Sequence, residues 1–156
     1  IINRKMRENP DFDPMSIDMV VEIIDPKHHD VVNSYNVNNV VVKNVTYAIN
    51  VNTTAAVELN VANSTLEGWT SYGASTTATF KNVAFTNGAY AYFRPYGNTT
   101  LKDCTFVEGF KIDFSELTKN GKTISFENCY YNGVKITAAN IAELAENYDA
   151  HRATFK

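Results

Sequence analysis

Short runs of alternating apolar and polar residues recur along most of the chain, and many of them share one pattern. The pattern is an apolar residue, any residue, Asn or Asp, then a small residue, Val or Cys, any residue, and an aromatic or aliphatic residue. Five segments follow it without internal gaps: residues 42–47, 61–66, 80–85, 101–106 and 126–131. Their Asn or Asp positions lie 19, 19, 21 and 25 residues apart. A repeat of this length predicts a solenoid, and the dense leucines of leucine-rich repeats are missing from it.

Each repeat contains three short alternating stretches, such as residues 77–80 before the Asn, 83–85 after it and 110–114 further on. Alternation with a period of two is typical of strands that bury one face. The sequence therefore predicts an all-β fold, a parallel β-helix of about five coils with three strands per coil. Its third strands are expected to point inward with Trp69, Ala89, Ala91, Phe93, Phe110, Ile112, Phe114, Val134 and Ile136.

This rhythm of apolar residue, Asn and aromatic residue resembles the right-handed parallel β-helix of the pectate-lyase-like superfamily. The resemblance covers residues 40–137 and implies a single-strand β-solenoid with an asparagine ladder at one turn. The ladder positions in this sequence are Asn44, Asn63, Asn82, Asp103 and Asn128. The resemblance also implies an extracellular or cell-surface location, for example on a bacterial surface, but it implies little about function.

The ends of the solenoid require caps, because open coils expose sheet edges. Residues 138–156 are predicted to form a capping helix and tail, with Ile141, Leu144, Ala145 and Tyr148 on one helical face. Residues 1–39 form an N-terminal cap region, which we expect to be mostly irregular with one strand. A helix over residues 15–24, or a degenerate sixth repeat ending at Asp25, are the alternatives. The chain as a whole is predicted to be one domain.

Charge and candidate chemistry narrow the function. The net charge of −3 and the pI near 5.6 argue against nucleic acid or an anionic membrane as a partner. The repeats contain a single arginine, Arg94, and their third strands offer only Asp113, with Glu116 close by, as carboxylates. Ca²⁺ prefers six to eight oxygen ligands, and glycoside hydrolysis uses two carboxyl groups at a set separation. We therefore expect no catalytic residues, no metal and no cofactor.

Cys104 and Cys129 occupy the same inward position on adjacent repeats. The separation of neighbouring strands permits a disulfide, whereas stacked side chains on a ladder usually run parallel. The favoured interpretation is a pair of small core residues, with the disulfide as the alternative.

The third strands also carry outward tyrosines next to charged residues. Such surfaces bind sugars, because the ring stacks on pyranose C–H groups while the hydroxyl stays hydrated. The predicted carbohydrate-binding residues are Tyr72, Tyr90, Tyr92, Arg94, Tyr96, Lys111, Asp113 and Lys135. Ordinary strand propensity is the simpler explanation for these tyrosines.

These patterns favour a non-catalytic secreted or cell-surface module that binds carbohydrate or mediates adhesion. Its expected partner is a polysaccharide or host glycan, alongside further domains of a longer chain, with no nucleic acid and no membrane insertion. One alternative is a polysaccharide lyase-like or hydrolase-like enzyme, or a degenerate relative of one. Another is a structural or protein-interaction solenoid. A face of outward threonines, such as Thr77, Thr79 and Thr100, also suggests ice binding, but Glu58 and Asn60 interrupt it.

Overall fold

The chain folds as a parallel β-solenoid with short helices, and it has about four turns where about five coils were predicted. The computed structural model describes residues 16–17, 21–24 and 33–156, and side chains from residue 33 onward. An eleven-stranded sheet, called here the large sheet, and a six-stranded sheet, called the small sheet, form its faces.

The large sheet contains β1 (Ser16–Ile17), β3 (Asn33–Asn38), β4 (Val41–Val42), β6 (Val57–Glu67), β8 (Thr76–Thr86), β10 (Thr99–Lys102), β11 (Thr105–Phe106), β13 (Ile124–Glu127), β14 (Tyr130–Tyr131), β15 (Val134–Lys135) and β17 (Ala153–Phe155). The small sheet contains β2 (Val21–Ile24), β5 (Tyr47–Asn52), β7 (Trp69–Tyr72), β9 (Tyr92–Pro95), β12 (Lys111–Asp113) and β16 (Ala145–Glu146). Two short helices, α1 (Ser115–Asn120) and α2 (Ile141–Leu144), lie between strands near the C-terminal end.

The register of the large sheet stacks like residues on like, which is why its inward columns form the core. Val61 pairs with Phe80, Phe80 with Leu101, and Leu101 with Phe126. All four are at most 1% exposed, while their neighbours along the strand point outward.

The alternation also predicts inward positions for the first two strands of these four repeats: Leu59, Val61, Ser64, Leu66, Ala78, Phe80, Val83, Phe85, Thr99, Leu101, Cys104, Phe106, Ile124, Phe126, Cys129 and Tyr131. All of them are buried except Tyr131, which is half-buried against the core. In the first repeat, Val42 and Val45 are buried as predicted, whereas Tyr47, also predicted inward, is half-buried and stacks on Trp69.

Cys104 and Cys129 both lie in this core as free thiols. Their sulfurs donate to backbone carbonyls: Cys104 Sγ lies 3.4 Å from the oxygen of Phe80, and Cys129 Sγ lies 3.3 Å from that of Leu101. The interpretation as small core residues is confirmed, because both side chains pack where other repeats place Ser or Val.

Asparagine side chains are hydrogen-bonded between neighbouring coils at one turn. Asn63 Nδ2 donates to Asn38 Oδ1 (3.0 Å), Asn82 Nδ2 to Asn63 Oδ1 (2.9 Å), and Asn128 Nδ2 to Asp103 Oδ1 (2.8 Å). Residues 63, 82, 103 and 128 have φ between 50° and 54°, a left-handed conformation that Asn and Asp tolerate. The turn therefore requires a small polar residue for both its backbone and its hydrogen bonds.

Asn44 lies at a different turn from the one predicted. Val41 and Val42 pair with Thr65 and Leu66, so they form the strand after the ladder instead of the strand before it. The residue in register with Asn63 is Asn39, which has φ 57°. Asn44 also has φ 57°, and a valine lies two positions before the left-handed Asn at both turns (Val37 and Val42), so the sequence pattern matched the wrong turn.

Strand β7, in the segment predicted as a third strand, faces the opposite way from the prediction. Thr70 and Tyr72 are buried, at 0% and 1% exposure, whereas Trp69 points outward and is half-buried. Because side chains alternate, a shift of one residue exchanges the two faces of a strand. Burial raises the pKa of the Tyr72 hydroxyl, which is hydrogen-bonded to Thr99 Oγ1.

Two other predicted inward residues, Ala89 and Val134, are exposed. Ala89 belongs to a loop that precedes β9. Asn132 and Gly133 both have positive φ (48° and 78°), which is the conformation of a tight hairpin turn. This turn folds β15 back antiparallel onto β14, so the last repeat lacks the predicted third strand at this point.

The C-terminal capping helix was predicted wrongly. Its helical part is α2, only four residues long, and the chain then continues as β16 and β17. These strands pair in parallel with β12 and β13 and so extend the solenoid. Ile141 is buried and Leu144, Ala145 and Tyr148 pack against the core, so the apolar pattern identified the buried residues but not their backbone conformation.

Near the N-terminus, β1 and β2 pair with β4 and β5. A helix over residues 15–24 is therefore contradicted at residues 16–17 and 21–24. The expected single strand in residues 1–39 is wrong as well, because β1, β2 and β3 all lie in this range and pair with strands of the solenoid. The remainder of the predicted cap up to residue 32, including Asp25, lies outside the described residues.

Asn82 offers a test of the ladder. Asn82→Ala is expected to destabilise the protein by about 1–2 kcal/mol, because alanine loses the hydrogen bond to Asn63 and disfavours the left-handed backbone. Asn82→Gly keeps the backbone conformation and loses only the side-chain hydrogen bond. Its stability should therefore fall between that of the wild type and that of the alanine variant. Urea unfolding of the three proteins measures this order, and a glycine variant less stable than the alanine variant would contradict it.

Candidate functional site

An aromatic column runs along the outer face of the small sheet. The Tyr47 and Trp69 rings stack with centroids 4.9 Å apart at 17°, and Trp69 meets Tyr92 at 5.3 Å and 57°. Lys111 Nζ lies 6.0 Å from the centroid of the Tyr92 ring, which is within the range of a cation–π contact. Parallel pairing of β5, β7, β9 and β12 produces this column, because it stacks residues of adjacent coils.

A cleft of about 590 Å³ lies between this column and the loop that precedes β9. Trp69, Tyr90, Tyr92 and Lys111 supply its large side chains, and Asn87 adds a polar one. Tyr90 is 52% exposed and leaves its ring available, whereas the rings of Trp69 and Tyr92 pack on their neighbours. Trp69 Nε1 is buried and has no hydrogen-bond partner. The cleft thus combines aromatic surface with polar side chains at its border.

A polar network adjoins the cleft and is centred on Asp113, which is 4% exposed. Its Oδ1 accepts hydrogen bonds from the Ser115 backbone N–H (2.9 Å) and Asn147 Nδ2 (3.0 Å). Its Oδ2 accepts from Ser115 Oγ (3.0 Å) and Tyr92 OH (3.1 Å) and lies 3.6 Å from Arg94 Nε. Burial opposes ionisation, but these hydrogen bonds outweigh it and hold the pKa of Asp113 below its usual value. The ionised Asp113 carboxylate therefore holds the neighbouring donor groups in place through these hydrogen bonds.

Two further ion pairs surround Asp113. Arg94 Nη2 lies 3.0 Å from Glu116 Oε1, and Lys111 Nζ lies 3.4 Å from Glu146 Oε1. Glu146 Oε2 also accepts a hydrogen bond from Tyr92 OH at 3.2 Å. Partial burial, together with the charges of Asp113 and Glu146, raises the pKa of Tyr92 to about 12. The Tyr92 hydroxyl thus remains a hydrogen-bond donor to carboxylates at neutral pH.

The structure brings together some of the residues predicted to bind carbohydrate and separates others. Tyr90, Tyr92 and Lys111 line the cleft, and Arg94 and Asp113 belong to the adjoining network. Tyr96 contacts the network only through Arg94, whose guanidinium carbon lies 5.5 Å from the centroid of its ring, and it lines a smaller pocket of about 220 Å³ with Asn50 and Ser71. The other two residues lie elsewhere: Tyr72 is buried in the core, and Lys135 is on the β15 hairpin of the large sheet.

Trp69, like Ala89 and Ala91, lines the cleft although it was predicted to point inward. It is the only tryptophan in the chain, and a flat aromatic residue beside the aligned Tyr92 is the signal that could have identified it. Glu146 and Asn147 were also missed, because residues 138–156 were expected to form a capping helix and tail.

The fold and site define a parallel β-solenoid with an aromatic cleft on its small sheet. Comparison with protein-family models, curated proteins and solved structures finds no match to this chain. Among the described residues, no helix has the length and hydropathy needed to cross a membrane. Within the same part of the chain, no group of three or more His, Cys, Asp or Glu residues is arranged to hold a metal ion.

Proposed function

We propose that the protein is a non-catalytic carbohydrate-binding module whose cleft between Trp69 and Tyr90 holds a sugar ring. The observation that carries this proposal is the exposed ring of Tyr90 in a cleft bordered by Trp69, Tyr92 and Lys111. Aromatic faces stack on the C–H groups of pyranoses, and neighbouring polar groups orient the hydroxyls. Tyr90 supplies the face, and Asn87 and Lys111 supply polar atoms at the border.

The alternative of a lyase-like or hydrolase-like enzyme requires carboxylates free to exchange protons or to hold a cation. The carboxylates beside the cleft are already engaged: Asp113 and Glu116 contact Arg94, and Glu146 contacts Lys111 and Tyr92. These contacts favour binding without turnover.

The finer architecture that accompanies this proposal is a right-handed parallel β-helix with three strands per coil, similar to the pectate-lyase-like superfamily. The right-handed preference of parallel β crossovers supports the handedness. Positive φ at Asn63 and at Gly68 divides one coil into three straight segments and supports the strand number. We also propose that the protein lies on a cell surface or outside the cell. There an extended polysaccharide would bind along the length of the solenoid.

Tyr90→Ala is expected to weaken glycan binding about tenfold or more without unfolding the protein, because it removes the exposed ring from the cleft. The ligand is first selected on a glycan array that includes neutral and acidic polysaccharides, with and without Ca²⁺. Binding is then followed by the fluorescence of Trp69, the single tryptophan, which reports directly on the cleft.

The matched control is Tyr130→Ala, which removes a half-buried tyrosine from the outer face of the large sheet. Its affinity should equal that of the wild type. Equal binding by the Tyr90→Ala variant, or shortening of the bound polysaccharide over time, would contradict the proposal.

A further inference from the structure

The cationic side chains in and beside the aromatic cleft are already paired with carboxylates. Lys111 is the single cation among its lining residues, and its Nζ is already paired with Glu146 Oε1 at 3.4 Å. Both side chains are accessible, at 57% and 44% exposure, so a ligand can reach either of them. Arg94, the cation in the adjoining network, is paired with Glu116 and lies 3.6 Å from Asp113 Oδ2.

A second carboxylate, that of Glu67, lies close to the loop that lines the cleft. A Cβ built on the cleft residue Gly88 would lie 2.5 Å from Cγ of Glu67, so the Glu67 side chain packs directly against the loop. Glu67 Oε2 accepts a hydrogen bond from the Asn44 backbone N–H at 2.8 Å, which holds the carboxylate in place. Glu67 near Gly88 and Glu146 beside Lys111 are therefore both acidic side chains near the cleft.

We propose that the cleft selects uncharged glycans over polyuronates, and that Glu146 determines this selectivity by occupying Lys111. This inference rests on the carbohydrate-binding function proposed above. A uronate carboxylate entering the cleft would need Lys111 as its partner and would meet Glu146 beside it. A neutral sugar needs only hydrogen bonds and ring stacking and does not disturb the ion pair.

The test compares a neutral hexasaccharide, cellohexaose or mannohexaose, with hexagalacturonic acid by titration of Trp69 fluorescence. The wild type is expected to bind a neutral hexasaccharide more tightly than the acidic one. Glu146→Gln should improve binding of hexagalacturonic acid about three- to tenfold, because Lys111 becomes available and one repulsive charge is removed. Its affinity for the neutral sugar should change by less than about twofold, because glutamine can still accept the Tyr92 hydrogen bond.

The matched control is Glu58→Gln, which removes the same charge from the outer face of the large sheet. It should leave both affinities at the wild-type values, which separates a local effect from a change in net charge. Added salt should shrink the gain of the Glu146→Gln variant, because it is electrostatic. Tighter wild-type binding of hexagalacturonic acid than of both neutral sugars, or no gain in the variant, would overturn this inference alone. Failure of every glycan to bind would overturn the proposed function itself.

Discussion

Phe85→Ala is expected to lower the free energy of unfolding by about 3–5 kcal/mol, the largest effect we predict for a single substitution. Phe85 is 0% exposed and lies where four other rings meet. Its centroid is 4.6 Å from that of Phe106, 5.3 Å from Phe93, 5.6 Å from Phe80 and 5.7 Å from Phe110. Alanine would leave a cavity among residues from both sheets and two adjacent coils, and the stacked backbone limits how far it can collapse.

Urea unfolding measures this loss with two probes. Circular dichroism reports on the whole backbone, and Trp69 fluorescence reports on the small sheet. Phe85→Leu refills most of the volume and should cost less than about 2 kcal/mol, while the outward substitution Lys81→Ala should change stability by less than about 0.5 kcal/mol. A Phe85→Ala variant within 1 kcal/mol of the leucine variant would show that the rings can repack, contrary to the prediction.

The large sheet could be predicted from the sequence because its turns are constant. Residues 63, 82, 103 and 128 all adopt the left-handed conformation, and each is followed by a strand in the same register. A fixed turn keeps the alternation of inward and outward residues in phase from one coil to the next. Alternation alone therefore identified the core columns of these strands.

The small sheet could not be predicted as fully, because the segments that lead into its strands differ in length. β7 follows β6 after Gly68 alone, whereas β9 begins after a loop from residue 87 to residue 91. Without a fixed distance from the asparagine, the phase of each strand is ambiguous by one residue. That ambiguity explains why Trp69 and Tyr72 were each assigned to the wrong face.

Some residues of the candidate site could likewise be predicted from the sequence, and others could not. Tyr90, Tyr92 and Lys111 were found because outward aromatic and charged residues recur within the repeat. Glu146 comes from a segment whose apolar spacing also fits a helix, so its place beside Lys111 follows only from the pairing of β16 with β12. Asp113 was identified by its charge, but its burial depends on helix α1 and on Asn147, which lie outside the repeat pattern.

Asp113→Ala is expected to destabilise the protein by about 3 kcal/mol, because it leaves the partners of a buried carboxylate unsatisfied. The backbone N–H of Ser115 loses its acceptor at the start of α1, and Arg94 loses one of its two anionic neighbours. Chemical denaturation at pH 7 measures the change, and Glu143→Ala on the exposed face of α2 is the control with the same loss of charge. A loss of less than 1 kcal/mol would show that the network adds little to stability.

The isosteric variant Asp113→Asn separates the charge of this residue from its shape through the pH dependence of stability. The pKa of Asp113 is lower in the folded protein than in the unfolded chain, so its charge stabilises the fold fully above the unfolded value, about 4. That stabilisation is lost as the pH falls through the folded pKa. The stability difference between wild type and Asp113→Asn should therefore be constant between pH 5 and 7 and shrink below about pH 4. Other carboxylates, such as Asp149, titrate in both proteins and cancel, so a difference that persists unchanged at pH 3 would contradict the charge-stabilised network.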